Sequence, residues 1–310
     1  MATYLVTGGA GFIGSHLVEL LLASGHRVKV LDDLSTGSLK NLQSVEDKVE
    51  FFKGDIRYPE KAGEAFLNLD GVFHLAAISS VERSILEPEI TRQVNVTGTL
   101  QVLLASKKHQ VRRVVFISSA SVYGNPQTLP ISEEQEPRPL SPYGATKVAG
   151  EAHTSAFFHL GFLEAVSLRL FNIFGPRQDP ASPYSGVISK FLEAAVSGKR
   201  PVLFGDGKQT RDFLYVEDAC RAVLLAMEKE EAAGQVFNIA SGKETSITDL
   251  GKIIFSLVGK DFEPERKPER PQDIRRSVAS IEKARRILGW RPQVSLEEGL
   301  KKTLEWVKSL

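Results

Sequence analysis

The stretch Tyr4-Leu5-Val6-Thr7-Gly8-Gly9-Ala10-Gly11-Phe12-Ile13-Gly14 runs from an apolar strand, through a Gly-rich turn, into an amphipathic helical pattern over 12–24. Gly8, Gly11 and Gly14 recur at every third residue. Glycine at such positions permits a tight turn and lets backbone amides approach a pyrophosphate at the positive end of a helix. A glycine motif alone is often only a turn. This one follows a strand, precedes a helix and is answered by Asp32 at the end of the next apolar run.

Working outward from that turn, β-branched runs at 3–6, 27–31, 49–53, 71–75, 113–118 and 164–170 alternate with helical patterns at 12–24, 58–67, 89–109 and 142–160. Strands separated by helices predict an α/β fold, a doubly wound parallel sheet with right-handed crossovers. The alternation breaks after Asn172, where Gly175-Pro176-Arg177-Gln178-Asp179-Pro180 forms turns. We therefore expect a Rossmann nucleotide-binding domain over 1–174, to which the chain returns near 213–241 through a strand at 235–239. A smaller α-rich lobe over 175–310 should cap the substrate.

Composition narrows the function. A formal net charge of +1, from 39 basic and 38 acidic side chains, argues against nucleic-acid or membrane-surface binding, which need a basic excess. The single cysteine, Cys220, excludes an intramolecular disulfide and a four-cysteine zinc site, and no metal site is expected. No apolar run approaches the ~20 residues of a membrane span. The chain reads as cytoplasmic.

Asp32 can accept hydrogen bonds from both adenosine ribose hydroxyls. It would repel a 2′-phosphate, and no arginine immediately follows it, so NAD is favoured over NADP. Asp33 either shares the role or caps its loop. Asp55 ends the third strand, where its carboxylate could meet the adenine. Leu75-Ala76-Ala77 ends the fourth with small residues that let the chain pass close to a cofactor.

Tyr143 and Lys147, in Ser141-Pro142-Tyr143-Gly144-Ala145-Thr146-Lys147, lie four residues apart and share a helix face. A neighbouring ammonium favours a phenolate and lowers its pKa. With the glycine loop, the pair suggests an enzyme that takes a proton from a hydroxyl while hydride leaves the same carbon.

These residues together resemble the extended short-chain dehydrogenase/reductases, and within them the nucleotide-sugar 4-epimerases. The markers span nearly the whole chain: TGGAGFIG (7–14), HLAA (74–77), NVTGT (95–99), SSASVYG (118–124), SPYGATK (141–147), RLFNIFGPRQDP (169–180), FGDGKQTRDFLYVED (204–218) and RPQDIRRS (270–277). The resemblance implies that Tyr143 is the base, that Lys147 holds the nicotinamide ribose, and that Ser119 bonds the sugar 4-oxygen. Asn95 would orient the active-site backbone. Phe12, Ile13, Ser35, Thr36, Gly37 and Ile56 would complete the cofactor site.

For a UDP-sugar, the resemblance implies that Arg211 and Arg270 pair with phosphates, and that Asn172, Phe204 and Asp273 meet the diphosphate, uracil and ribose. Ser79 and Val187 would lie near the substrate. Ser277 would occupy a gate over the sugar C2 substituent, and a small residue there leaves room for an N-acetyl group. Ala120-Ser121 stands where related dehydratases and decarboxylases place a carboxylate, which favours simple epimerisation. A UDP-glucuronate 4-epimerase or decarboxylase is the alternative within the family, although no cation near the sugar C5 is evident. A non-catalytic NAD-dependent regulator is the alternative of another class. Relatives pair the helices at 89–109 and 142–160 into a dimer, so a homodimer is expected.

Overall fold

The computed structural model describes residues 1–178, 186–269 and 274–310. Its first half runs β1 (Thr3–Thr7), α1 (Phe12–Ala23), β2 (Arg27–Asp32), β3 (Val49–Lys53), β4 (Gly71–His74), α2 (Val81–Leu86), α3 (Pro88–Arg92), α4 (Gly98–Lys108), β5 (Arg113–Ser119), α5 (Pro142–His159) and β6 (Glu164–Leu170). There follow β7 (Asn172–Phe174), α6 (Val187–Ser197), β8 (Val202–Phe204), β9 (Thr210–Arg211), β10 (Phe213–Tyr215) and α7 (Val216–Glu228). The described elements end with β11 (Val236–Ile239), β12 (Thr245–Ser246), α8 (Ile247–Ser256), β13 (Glu265–Lys267) and α9 (Leu296–Lys308).

Seven strands form one sheet in the order β11-β6-β5-β4-β1-β2-β3, and every pairing is parallel. The order reverses between β1 and β4, which opens a crevice at their carboxyl ends. Both faces of the sheet are covered, so neighbouring strand residues feed separate cores. Val6, Val30, Val115 and Val166 pack with Leu17 and Leu21 of α1 and Val223 of α7. Leu5, Leu31, Val72 and Val114 pack on the other face with Val102 and Leu103 of α4 and Phe157 of α5. The doubly wound reading holds, and β11 is the expected late strand. Among the described residues no helix is long and apolar enough to cross a membrane.

Two helical expectations change. Residues 58–67 form a single 3₁₀ turn, Pro59–Lys61, followed by turns. Gly63 lies in the left-handed region at φ 59°, as does Asn68 at φ 55°. Ala62, Ala65 and Phe66 still bury against the sheet, so the apolar spacing was real but the helix was not. The pattern at 89–109 is α3 and α4 joined by a π-helical turn, Gln93–Thr97. Such wide turns recur at functional sites, and this one carries Asn95.

A buried carboxylate ties the far end of the chain to the sheet layer. Asp218 of α7 accepts from the amides of Gln293 and Val294 at 2.8 and 2.9 Å, and also pairs with Arg221.

Candidate active site

A cleft of about 580 Å³ opens at the carboxyl ends of β1, β2, β4 and β5, where the strand order reverses. Its floor is the glycine turn. Gly8 sits at φ 72°, and the Gly11 amide donates to its carbonyl at 3.1 Å. A Cβ on Gly14 would stand 2.1 Å from that carbonyl oxygen, and one on Gly8 2.8 Å from the Ala76 nitrogen. The turn, the first residues of α1 and the end of β4 are thus packed backbone to backbone. That arrangement leaves amides available to an anion at the start of α1.

At one end of the cleft Asp32 accepts from the amides of Ala10 and Leu34 at 3.0 and 2.9 Å. Burial raises its pKa, and the two amides oppose that shift. Asp33, Ser35 and Thr36 line the cleft beside it, and Asp33 accepts from the Ser35 amide, the loop cap that its position also allowed. Gly37 does not line the cleft; it packs on Ala10 and Asp32, where a Cβ would come within 3.0 Å of both. Asp55 and Ile56 do line it, together with Arg57, which the sequence reading missed. The Arg57 guanidinium grips Asp55 through Nε and Nη2 at 2.9 and 2.5 Å. Burial raises the Asp55 carboxyl, but the bonds from Arg57 outweigh it and hold the pKa low. An Asp-x-Arg spacing was the available signal.

Leu75, Ala76, Ala77 and Ser79 form the central wall, and Phe12 and Ile13 face the same space. Asn95 lies behind this wall, 2 % exposed. Its side-chain oxygen accepts from the Ile78 amide at 2.8 Å. Its nitrogen donates to the Ile78 carbonyl and to Thr146 Oγ1, each at 3.0 Å. Asn95 therefore holds the backbone of Ile78, and touches the cleft only through that residue. The neighbour of Ser79, Ser80, caps α2 by accepting from the Arg83 amide at 3.0 Å.

The reactive group stands at the end of β5. Ser141 caps α5, and the Tyr143 amide donates to Ser84 Oγ at 3.0 Å, which fixes the tyrosine against α2. Ser119 lines the cleft with Tyr143, and its Oγ accepts from the Ser121 amide at 3.1 Å. Lys147, one helical turn on, donates from Nζ to the Ile117 carbonyl at 2.7 Å. Tyr143, Ser119, Ser121 and Lys147 all line the cleft. One expectation reverses in direction. Burial raises the Tyr143 pKa, with Ser119 opposing, rather than the ammonium lowering it. Burial also lowers Lys147 to about 8, opposed by Glu151.

Towards the substrate side, Asn172 lines the cleft and donates to the Asp212 carbonyl at 3.0 Å. Val187, Phe204, Arg211 and Ser277 do not line it among the described residues. Arg211 donates to the carbonyls of Thr210 and Ile274 at 2.7 and 2.6 Å. Ser277 is buried. Arg270 and Asp273 lie outside the described residues. Arg83 was missed: it lines the cleft and pairs with Glu87 through Nε at 2.7 Å.

A glycine turn, a buried carboxylate at the end of β2 and a Ser-Tyr-Lys set at one crevice mark a nucleotide-dependent enzyme of the short-chain dehydrogenase/reductase type. The family model for GDP-mannose 4,6 dehydratase matches residues 5–303, so the chain belongs to that family of NAD-dependent epimerases and dehydratases. It is 45% identical over 309 residues to the UDP-glucose 4-epimerase of Mycolicibacterium smegmatis, covering 98% of each chain. Among solved structures, it resembles the UDP-N-acetylglucosamine 4-epimerase of Methanobrevibacter ruminantium in complex with UDP-N-acetylmuramic acid. That likeness has a TM-score of 0.94 and 37% identity over 99% of this chain and 98% of that one. It also resembles the Thermus thermophilus UDP-glucose 4-epimerase in complex with NAD, at a TM-score of 0.90 and 38% identity over 99% of both chains. The chain is an enzyme of the kind that acts on UDP-sugars.

Proposed function

We propose that this protein interconverts UDP-glucose and UDP-galactose, and UDP-N-acetylglucosamine and UDP-N-acetylgalactosamine, by transient oxidation at C4 with bound NAD. The observation that carries the reading is the convergence of Ser119, at the carboxyl end of β5, with Tyr143 and buried Lys147, one helical turn apart, on one cleft. Asp32 would accept the adenosine ribose hydroxyls, and the amides around Gly8 and Gly11 would face the cofactor diphosphate. Lys147 would hold the nicotinamide ribose. Bound NAD would supply the hydride acceptor for the oxidation and the hydride donor for the reduction that reverses it.

Tyr143 removes the 4-hydroxyl proton as the sugar is oxidised and gives it back on reduction, while Ser119 holds the 4-oxygen. Nothing acidic follows Ser119, since Ala120 and Ser121 occupy those positions. Elimination of water or loss of carbon dioxide therefore lacks the extra group it needs, which supports epimerisation over dehydration. Residues 175–310 would supply the substrate lobe, with Arg211, Arg270 and Asp273 on the nucleotide and Ser277 at the sugar gate.

A second reading, a carboxylated sugar, gains support from Arg83. This cleft cation makes no hydrogen bond through Nη1 or Nη2 among the described residues. We also infer a homodimer through α4 and α5, which leave Leu104 and Leu160 exposed at 43% and 64%. Sedimentation showing only monomer at micromolar concentration would exclude it.

The test incubates the purified protein separately with UDP-galactose, UDP-N-acetylgalactosamine and UDP-glucuronate and resolves the products by chromatography. Conversion of the first two is expected, with a loss of at least ~10²-fold in Tyr143→Phe. Conversion of UDP-glucuronate alone would establish the Arg83 reading instead. Retention of acetylated-sugar activity in Ser277→Tyr would refute the gate.

A further inference from the structure

Behind the reactive tyrosine lies a chain of buried polar groups that the epimerisation reading does not use. Glu151 stands one turn beyond Lys147 on α5, so Tyr143, Lys147 and Glu151 follow one another along one face of the helix. Its Oε1 accepts from Ser118 Oγ at 2.5 Å and from Arg169 Nε at 2.9 Å. Its Oε2 accepts from Arg169 Nη2 at 2.7 Å. The two side chains of this ion pair are only 6% and 9% exposed. Beyond them, Arg169 Nη1 donates to Tyr123 Oη at 2.8 Å, Tyr123 donates to Asn238 Oδ1 at 2.6 Å, and the Asn238 amide donates to Glu133 at 2.8 Å.

A buried ion pair is weak evidence for stability, because well-packed apolar side chains of similar volume often serve as well or better. The contacts of this one point to another role. Lys147 holds the carbonyl of Ile117, Glu151 holds the hydroxyl of Ser118, and Ser119 is the next residue, in the cleft with Tyr143. Three consecutive residues at the end of β5 are thus addressed from α5. The same carboxylate is also the nearest acidic charge along the helix from Lys147.

We propose that Glu151, gripped by Arg169 through two hydrogen bonds, is a positioning residue that keeps Lys147 charged and holds Ser118, and through it Ser119, in register with Tyr143. This inference rests on the epimerase reading for its kinetic consequence. The groups facing Lys147 agree with it. On α5 they are Tyr143 and Glu151; from β4 comes His74, which burial keeps neutral; from β5 come the Phe116 ring, 5.0 Å from Nζ, and the Ile117 carbonyl. Arg169 of β6 stands behind Glu151 and is engaged by it. Among these, Glu151 supports the ammonium against its burial.

The test measures kcat with UDP-galactose from pH 6 to 9.5 on the full-length holoenzyme. Glu151→Gln retains an acceptor for Ser118 but removes the charge, and losing an opposite charge at this range shifts a pKa by about one unit or more. From a starting value near 8, Lys147 then keeps most of its charge at pH 6 but about tenfold less at pH 9. The variant should match wild type within about twofold at pH 6 and fall about tenfold behind at pH 9. Glu151→Asp should run parallel to wild type. If the single variant does not fold, Glu151→Gln with Arg169→Gln removes both charges, and a smaller loss that still grows with pH is expected, because losing the cation partly offsets losing the carboxylate.

A second readout needs no turnover. Burial holds Lys147 below its unfolded value, so stability relative to Lys147→Met rises as pH climbs through about 8. In the Glu151→Gln background, with and without Lys147→Met, that rise should begin about one unit lower. A loss equal at every pH, or an unmoved titration, overturns the proposal. A wild type that converts no UDP-sugar overturns the epimerase reading instead, and leaves the titration to decide this one.

Discussion

His74 offers a sharp test of how the cleft is built. Its ring lies between β1 and α4, 2 % exposed, with Nδ1 2.7 Å from Thr7 Oγ1 and Nε2 3.0 Å from Thr99 Oγ1. Thr99 donates its own hydroxyl proton to the Asn95 carbonyl at 2.6 Å, so it accepts from the ring. The proton therefore sits on Nε2, and Nδ1 accepts from Thr7, which in turn accepts from the Ala76 amide at 3.3 Å. A second ring proton would meet the Thr7 donor head-on. Burial, first, and the charge of Lys147, second, push the imidazole down to about 3 from 6.5. Because the folded value is depressed, the unfolded chain binds more protons between those two pH values, and stability falls as pH drops below about 6.5. At pH 5 the gap amounts to about 1.5 pH units, or about 2 kcal/mol. Urea unfolding at pH 7.5 and 5.0 should show the wild type losing about 2 kcal/mol more than His74→Gln, which cannot titrate. Equal losses in both proteins would refute the neutral, doubly bonded ring.

Two further outcomes follow from the same geometry. Gly14→Ala places a Cβ 2.1 Å from the Gly8 carbonyl and 2.8 Å from Gly9 Cα, both backbone, so the turn must open. Calorimetric titration with NAD should then show affinity reduced by at least ~10-fold while α1 and the sheet keep their circular dichroism. Asp218→Ala leaves the amides of Gln293 and Val294 and the Arg221 side chain without their shared acceptor. A loss of about 3 kcal/mol or more in urea unfolding is expected, with NAD affinity unchanged.

Much of this was legible because the informative signals are local. The Gly8–Gly14 turn, the strand runs and the 143/147 spacing each sit within a few residues, and each is placed as read. What failed needed a third dimension. Residues 58–67 bury Ala62, Ala65 and Phe66 as a helix would, but Gly63 breaks the backbone there. The short pairs β8–β13 and β9–β12 hold two or three residues each, too few to show a period. Arg83 belongs to no motif, and only the placing of α2 beside the cleft brings it to the site. The 151 position was visible as one more turn after Lys147, but its partner lies on β6, and no spacing rule joins 151 to 169.

The reversed direction at Tyr143 has the same origin, and it bears on mechanism. Burial moves Tyr143 up and Lys147 down, so both shift towards the neutral forms that would disarm a tyrosinate–ammonium pair. The fold answers each shift with one specific group: Ser119 opposes the rise at Tyr143, and Glu151 supports Lys147. Both answers converge on β5, since Ser119 is its last residue and Glu151 holds the one before. A site that only needed a buried tyrosine would not require a strand end held from three side chains. One that works as proposed, passing a proton back and forth at C4, does, because the tyrosine has to be a usable base before oxidation and a usable acid after it.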